Sequence, residues 1–340
     1  MTSEQIRDII AQRAYPGSEE AVQLVETHIS WLLLTPTYAF KIKKPLQFSF
    51  LDFSTLEKRH YYCQQEVFLN RRLAPDLYLG VLTVSADKDG FLSIRPYEEQ
   101  FLLLDYVVWM HRLDNSRQMD RLLAQNAVKP CDLEALAKQL AQFHRRQVLV
   151  GADMAGETIV RYKADFEDLF AQESIARQLF GDEVEMYFEQ LRQQERRFLS
   201  KHQHRLSERT CLGFWVDGHG DLHSRNIFLL PTGPVVFDCI EFSPHLRQLD
   251  VLNELAFLSM DLEARGHSSL AQVFIRAYQR HWRCIENAED EQIFQYFKTY
   301  RANVRLKVAL LQWAQEPTPE TEQAARQYWQ LLRRYASRPT

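Results

Sequence analysis

The stretch His219-Gly220-Asp221-Leu222-His223-Ser224-Arg225-Asn226 runs into the apolar residues Ile227-Phe228-Leu229-Leu230, a Pro231-Thr232-Gly233 turn and then Val235-Val236-Phe237-Asp238. Asp221 and Asn226 lie five residues apart, and a second aspartate ends the next apolar run. Phosphoryl transfer calls for this spacing. One aspartate orients the acceptor hydroxyl, an asparagine binds Mg²⁺, and a second aspartate on a following strand holds the metal against the nucleotide phosphates. The spacing does not name the acceptor.

The physical reason lies in the chemistry. Phosphoryl transfer needs charge neutralisation and in-line positioning more than covalent help. Mg²⁺ prefers oxygen ligands and keeps several waters, so one carboxylate and one amide oxygen suffice from the protein. Ile227 to Leu230 and Val235 to Phe237 read as a buried hairpin around turn residues. The start of its first strand lies beside the end of its second, which brings Asn226 and Asp238 together. A rival arrangement uses the alternation of His219, Asp221 and His223, which on an extended segment share one side. Such a cluster could hold zinc, but a zinc site needs further His or Cys ligands, and His245 and His267 show no ligand spacing. A polar turn before a buried hairpin would also fit, but it leaves Asp238 at the end of an apolar strand unexplained.

At 340 residues the chain exceeds what one core comfortably serves, so two lobes are expected. Its 46% hydrophobic and 25% charged content is that of a soluble globular protein. A net charge of −4 gives no attraction to nucleic acid or to an anionic membrane. The start, Met1-Thr2-Ser3-Glu4-Gln5, is polar rather than a signal peptide, and no apolar run reaches a bilayer span. Five scattered cysteines with no Cys-x-x-Cys pair suit reduced thiols, so a cytoplasmic protein is expected.

Toward the N-terminus, Val22–Val25 and His28–Leu34 read as strands and Thr35-Pro36-Thr37 as a turn, and Tyr38 to Lys43 alternates. Tyr38, Phe40 and Ile42 share one face there, and Ala39, Lys41 and Lys43 the other. A small residue two positions before a lysine suits a nucleotide pocket, and Ala39-Phe40-Lys41 fits the end of the kinase Val-Ala-Ile-Lys pattern. Lys43 is on the same face and could serve instead, and a lysine-rich solvated edge strand would account for both. Ser54-Thr55-Leu56-Glu57 is a capping box opening a helix whose pattern runs to Pro75. Glu66 falls on the largely apolar face of that helix, where a carboxylate needs a cation. Lys41 is the natural partner, as in the kinase Lys–Glu pair, with Arg59 or Asn70 as local alternatives.

Leu79–Val84 and Phe91–Arg95 read as a hairpin around Asp87-Lys88-Asp89-Gly90, and Phe101–Met110 as the last strand. Beyond it helical periodicity dominates. Asp132 caps a helix carrying Leu133, Leu136, Leu140 and Phe143, with His144 as a core histidine. Asp250 precedes an apolar stripe, Val251, Leu255, Leu258 and Leu262, and either caps that helix or braces the catalytic loop. The region after residue 268 is rich in aromatics expected in the core. Arg301 and Arg305, one turn apart, form a basic ridge that could hold an anionic acceptor or pair with Asp261 and Glu263.

Taken together, His219-Gly220-Asp221, Asn226 and the Phe237-Asp238-Cys239-Ile240-Glu241-Phe242 segment resemble the aminoglycoside phosphotransferase and choline kinase group of the protein-kinase-like fold. Glu26–Trp31, Leu51–Glu57, Leu69–Pro75 and Tyr300–Arg305 look similar to the bacterial aminoglycoside phosphotransferase family enzymes as well. The resemblance implies an α+β, two-lobed fold, with a small N-lobe over residues 1–110 built on an antiparallel sheet and a mostly helical C-lobe over 111–340. It implies an ATP- and Mg²⁺-dependent transferase with Asp221 as base, Asn226 and Asp238 as metal ligands, and Lys41 with Glu66 placing the phosphates. The acceptor is then a small molecule with a hydroxyl: a sugar, sugar acid, amino alcohol or aminoglycoside. Two departures stand out. No Gly-x-Gly-x-x-Gly is present, so another segment, around Glu26 to Ser30, must cover the phosphates, and Cys239-Ile240-Glu241 replaces Phe-Gly, leaving Glu241 as a further carboxylate. The missing glycine loop also motivates an alternative, a nucleotide-binding regulatory module with little turnover.

Overall fold

Thr2 starts the first helix, α1 (Ser3–Ala11). Its hydroxyl accepts the Gln5 N–H, and the Gln5 side chain accepts the Thr2 N–H. Strands β1 (Gln23–Glu26), β2 (Ser30–Leu34) and β3 (Tyr38–Lys43) follow, then the short β4 (Gln47–Phe48) and β5 (Leu51–Asp52) and helix α2 (Leu56–Asn70). With β6 (Tyr78–Ala86), β7 (Leu92–Arg95) and β8 (Leu102–His111), they complete a six-stranded antiparallel sheet in the order β1-β2-β3-β8-β6-β7. The computed structural model describes residues 1–17, 21–48, 51–149 and 155–336.

Alternation along β3 decides what each sheet face carries. Phe40 and Ile42 enter a core with Ile6, Ile9, Leu33 and Val84, while Ala39 enters one with Cys63, Val67, Tyr78 and Val108. Lys41 and Lys43 take the Ala39 face, the one that α2 covers. The start of α2 differs from the expected box by one residue. Thr55 is the cap and accepts the Lys58 N–H, because Asp52 holds the Ser54 N–H and hydroxyl. The helix ends at Asn70, five residues short of Pro75.

The rest of the chain is mostly helical: α3 (Met119–Ala124), α4 (Pro130–Arg146), α5 (Ala155–Phe170), α6 (Glu173–Phe180), α7 (Glu183–Cys211), then strand β9 (Trp215–Asp217). The hairpin β10 (Ile227–Leu230) and β11 (Gly233–Val236) leads to the short α8 (Pro244–Arg247) and to β12 (Gln248–Asp250), which pairs antiparallel with β9. Helices α9 (Val251–Ala264), α10 (Ser268–His281), α11 (Ala288–Gln315) and α12 (Pro319–Ala336) finish the chain. Asp132 sits inside α4 rather than capping it. Pro130 takes the first helical position, so Lys129 becomes the cap and Asp132 accepts its N–H at 2.8 Å. Of the aromatics expected in the core, Phe274, Tyr278, Phe294, Tyr296, Phe297, Tyr300 and Trp329 are buried. Trp282 and Trp313 are only half-buried.

Two compact units emerge. One holds Met1–Arg121 with Asn226–Pro231 and Val235–Arg247; the other holds Leu122–Arg225, Thr232–Pro234 and Gln248–Thr340. Strand β10 and the second half of β11 thus group with the sheet, and the loop before them, carrying Asp221, groups with the helices. The architecture is α+β, with an antiparallel sheet in the first unit and helices dominating the second. Among the described residues no helix is long and apolar enough to cross a membrane.

Candidate active site

In the first unit five charged side chains form one network. Lys41 Nζ lies 2.8 Å from Glu66 Oε1 and 2.8 Å from Asp238 Oδ1. Lys43 Nζ lies 2.6 Å from Glu66 Oε2 and also pairs with Glu241. Lys43 and Glu66 are sealed from solvent, Lys41 is slightly open, and the Asp238 side chain is 43% exposed. Burial works against the Lys41 charge, but Asp238, Glu66 and Glu241 outweigh it and hold the ammonium well above its ordinary range. Burial likewise opposes ionisation of Glu66, and the two lysines pull it down to about 2. Glu241, with burial dominant, moves the other way. Both lysines of the strand are therefore used, for different purposes. Lys43 fills the interior, and Lys41 reaches the exposed aspartate.

The backbone around Asp238 is fixed from several sides. Asp238 has a left-handed conformation (φ 62°), which aspartate tolerates better than bulkier residues. Its N–H donates to the Tyr78 hydroxyl at 3.2 Å, and the Cys239 N–H donates to Asn70 Oδ1 at 2.8 Å. The Phe237 N–H donates to the Asn226 carbonyl at 3.1 Å, tying the two ends of the hairpin together. Asn226 closes a 3₁₀ turn, Ser224–Asn226, just ahead of β10. In the segment expected to cover phosphates, Thr27 staples the β1–β2 turn by exchanging hydrogen bonds with Ser30. Lys44 ties the same turn down through Glu26 and the Thr27 carbonyl, each at 2.7 Å.

In the second unit the loop before Asn226 is held by buried acids of α9. Glu254 accepts the N–H groups of His219 and Gly220, and Asp261, two turns on, accepts that of Ser224 at 2.9 Å. Gly218 is required by this closeness, since a Cβ there would stand 2.9 Å from Glu254 Oε1. Arg301 reaches in from α11. It donates to the Gly220 carbonyl at 3.2 Å and to Asn253 at 2.6 Å, over the Phe257 ring. His144, buried as expected, bonds the Tyr278 hydroxyl at 2.9 Å and lies 3.7 Å from Glu254.

Asp221 itself is half-buried, with His223 Nε2 3.3 Å from its carboxylate. Burial would raise its pKa, but His223, Arg305 and His219 hold the carboxyl far below the usual range. His219 Nδ1 accepts the Asp221 N–H, so the alternating histidines serve as hydrogen-bond partners. Among the described residues no group of three or more His, Cys, Asp and Glu is arranged to hold a metal ion.

Of its two expected uses Asp250 takes the cap of α9, accepting the Leu252 N–H, and it pairs with Arg209 at 2.7 and 2.9 Å. Glu254 and the bracing use of Arg301 escaped sequence reasoning, and Asp261, expected with Glu263 as a partner of the arginine ridge, instead holds the loop and pairs with Arg265, while Glu263 pairs with Lys298. The available signal was two acids, Glu254 and Asp261, seven residues apart in a largely apolar helix and on one face by helical spacing.

Residues 90–287, more than half of the chain, match the profile of the phosphotransferase enzyme family. Over 306 residues, 89% of its length, the chain is 30% identical to uncharacterized proteins of Mycobacterium tuberculosis and Mycobacterium bovis. It spans 57% of the length of those relatives. Among solved structures it resembles a choline kinase from Cryptosporidium parvum, with a TM-score of 0.55 at 11% identity over 97% of this chain and 95% of the other. A choline/ethanolamine kinase family protein from Mesorhizobium loti gives 0.52 at 12% over 100% and 96%. The GDP complex of aminoglycoside 2'-phosphotransferase-IIIa gives 0.53 at 13% over 98% of both chains. These likenesses are of fold, and the fold is the protein-kinase-like one. The chain belongs to the phosphotransferase enzyme family.

Proposed function

We propose that the protein transfers the γ-phosphoryl group of ATP, with Mg²⁺, to a hydroxyl of a small molecule. The observation that carries this is the Lys41 ammonium held between Glu66 of α2 and the exposed carboxylate of Asp238. An ammonium fixed in this way is suited to bind nucleotide phosphates. Three carboxylates face two ammoniums in that network, and Asp238 is the carboxylate open to solvent. That donor set, with the Asn226 amide on the adjoining end of the hairpin, fits a hard divalent cation. Asn226 and Asp238 would hold Mg²⁺, which when bound neutralises phosphate charge.

Asp221 takes the role of base. A carboxylate kept ionised by His223, Arg305 and His219 is a weak base, which suits a loose transition state in which the acceptor proton leaves late. It orients the hydroxyl and receives its proton as the new O–P bond forms and the bond to the β-phosphate oxygen breaks. Glu254, Asp261 and Arg301 keep the loop from drifting, which matters because small misplacements of a catalytic group cost large factors in rate.

The test is transfer from γ-labelled ATP with Mg²⁺ across sugars, sugar acids, polyols, amino alcohols and aminoglycosides. Asp221→Ala is expected to lower transfer by about 100- to 10,000-fold while leaving nucleotide affinity nearly intact. Asp238→Ala is expected to lose Mg²⁺-dependent nucleotide binding. Turnover that survives Asp221→Ala overturns the assignment, and tight ATP binding without transfer to any acceptor favours a regulatory module.

A further inference from the structure

Arg301 and Arg305 stand one turn apart on α11, yet they are used differently. Arg301 is buried, and its guanidinium is taken up by Asn253, the Gly220 carbonyl and the face of Phe257. Arg305 is half-buried and packs on the Tyr328 ring, 5.4 Å from its centre. No carboxylate of the described residues forms an ion pair with it. Burial opposes its charge, and Tyr328, which also hydrogen-bonds it, keeps it charged first, with Asp221 and Asp261 adding from a distance.

A half-desolvated guanidinium without a bonded anion is costly, and Arg is suited to grip planar oxyanions with two parallel hydrogen bonds. The turn of α11 that carries Arg305 follows the one anchored to Gly220, the residue next to Asp221. Resting on the kinase reading above, we propose that the phosphoryl acceptor is an anionic hydroxy compound, in first place a sugar acid or other hydroxy acid, whose carboxylate sits on Arg305 while its hydroxyl meets Asp221. Phosphoryl transfer then moves one proton from that hydroxyl to Asp221, forms the O–P bond, breaks the bond to the β-phosphate oxygen and releases ADP. No electron transfer is involved. Arg305 and Arg301 disfavour amines at this place by like-charge repulsion, so aminoglycosides and amino alcohols are poor acceptors.

Matched acceptors test this on the full chain: gluconate against sorbitol, glucuronate against glucose, a sugar phosphate, and ethanolamine and kanamycin as cations. The wild type is expected to favour the acids over their neutral twins by about 10- to 100-fold in kcat/KM. Arg305→Gln should raise KM for the acid and shrink that gap to about threefold, with kcat less affected, and Arg305→Lys should restore part of it. A preference for the sugar phosphate over the carboxylates moves the anion from carboxylate to phosphate and overturns the hydroxy-acid assignment. Preference for neutral or cationic acceptors, or an equal loss on all acceptors in Arg305→Gln, overturns the inference and leaves the kinase standing. Absence of any Asp221-dependent transfer overturns the kinase reading and this one with it.

Discussion

Around Lys41, three carboxylates and two ammoniums are linked side chain to side chain, whereas around Asp221 the acids of α9 hold backbone N–H groups of the loop, with Arg265 beside Asp261 and His144 beside Glu254 as their side-chain neighbours. Side-chain links can be exchanged by rotamer changes, so an arriving phosphate or cation can take a partner from Lys41 or Asp238 without moving the chain. Links to backbone N–H groups set the path of the loop itself and cannot be traded so easily. The first arrangement suits a charged ligand that comes and goes. The second suits the role proposed for Asp221, a base that must stay where it is.

Removing one member of each region breaks the comparison at its strongest points. Lys43→Met leaves Glu241 and half of Glu66 buried without a cation, and a loss of about 3–5 kcal/mol is expected in urea unfolding. Adding Glu241→Leu should recover much of it, because an apolar pair can replace a buried ion pair. A Lys43→Met variant as stable as wild type would show that the network is not the interior anchor described. Glu254→Ala strands two buried N–H groups, with about 2–4 kcal/mol lost and a turnover drop near 100-fold expected at unchanged nucleotide affinity. Equal damage to nucleotide affinity would mean that the loop is not the separate element proposed.

Another buried acid sharpens the contrast because, among the described residues, it has neither kind of partner. Glu195 of α7 is 5% exposed, its Oε1 lacks a hydrogen-bond partner, and burial pushes it up to about 7. The folded protein then holds this proton more tightly than the unfolded chain. Its contribution to stability is complete below the ordinary value of 4.5 and is lost as pH rises through about 7. From pH 5 to 8 the wild type should therefore lose several degrees of Tm relative to Glu195→Gln, a difference readable by thermal melts. Parallel pH profiles would place the proton elsewhere. Smallest is Thr55→Ala, which removes the α2 cap at about 1 kcal/mol and should leave the Lys41–Glu66 pair formed.

Local patterns carried much of this fold in the sequence. Alternation on Tyr38–Lys43 assigned both faces of β3, and turn residues marked the hairpin between Asn226 and Asp238. The cap of α2 missed by one residue and that of α4 by three, because Asp52 claimed Ser54 and Pro130 claimed the first helical position. The division of labour between Lys41 and Lys43 was not legible, since both point the same way from one strand. It is settled by Glu241, which arrives 198 residues later. Glu254 and Asp261 were hidden for a related reason: in an apolar helix a lone acid looks like an interruption until the loop that it receives is in place.

Helix α2 carries Glu66 and, one turn later, Asn70, which donates to the Glu66 carbonyl and accepts the N–H beside Asp238. The helix thus works as a key with two teeth, one set against the lysines and the other against the backbone of the exposed aspartate. Turning it would withdraw both together, so the Lys41 ammonium and the Asp238 carboxylate, the pair proposed to meet the nucleotide, are set or unset in a single motion.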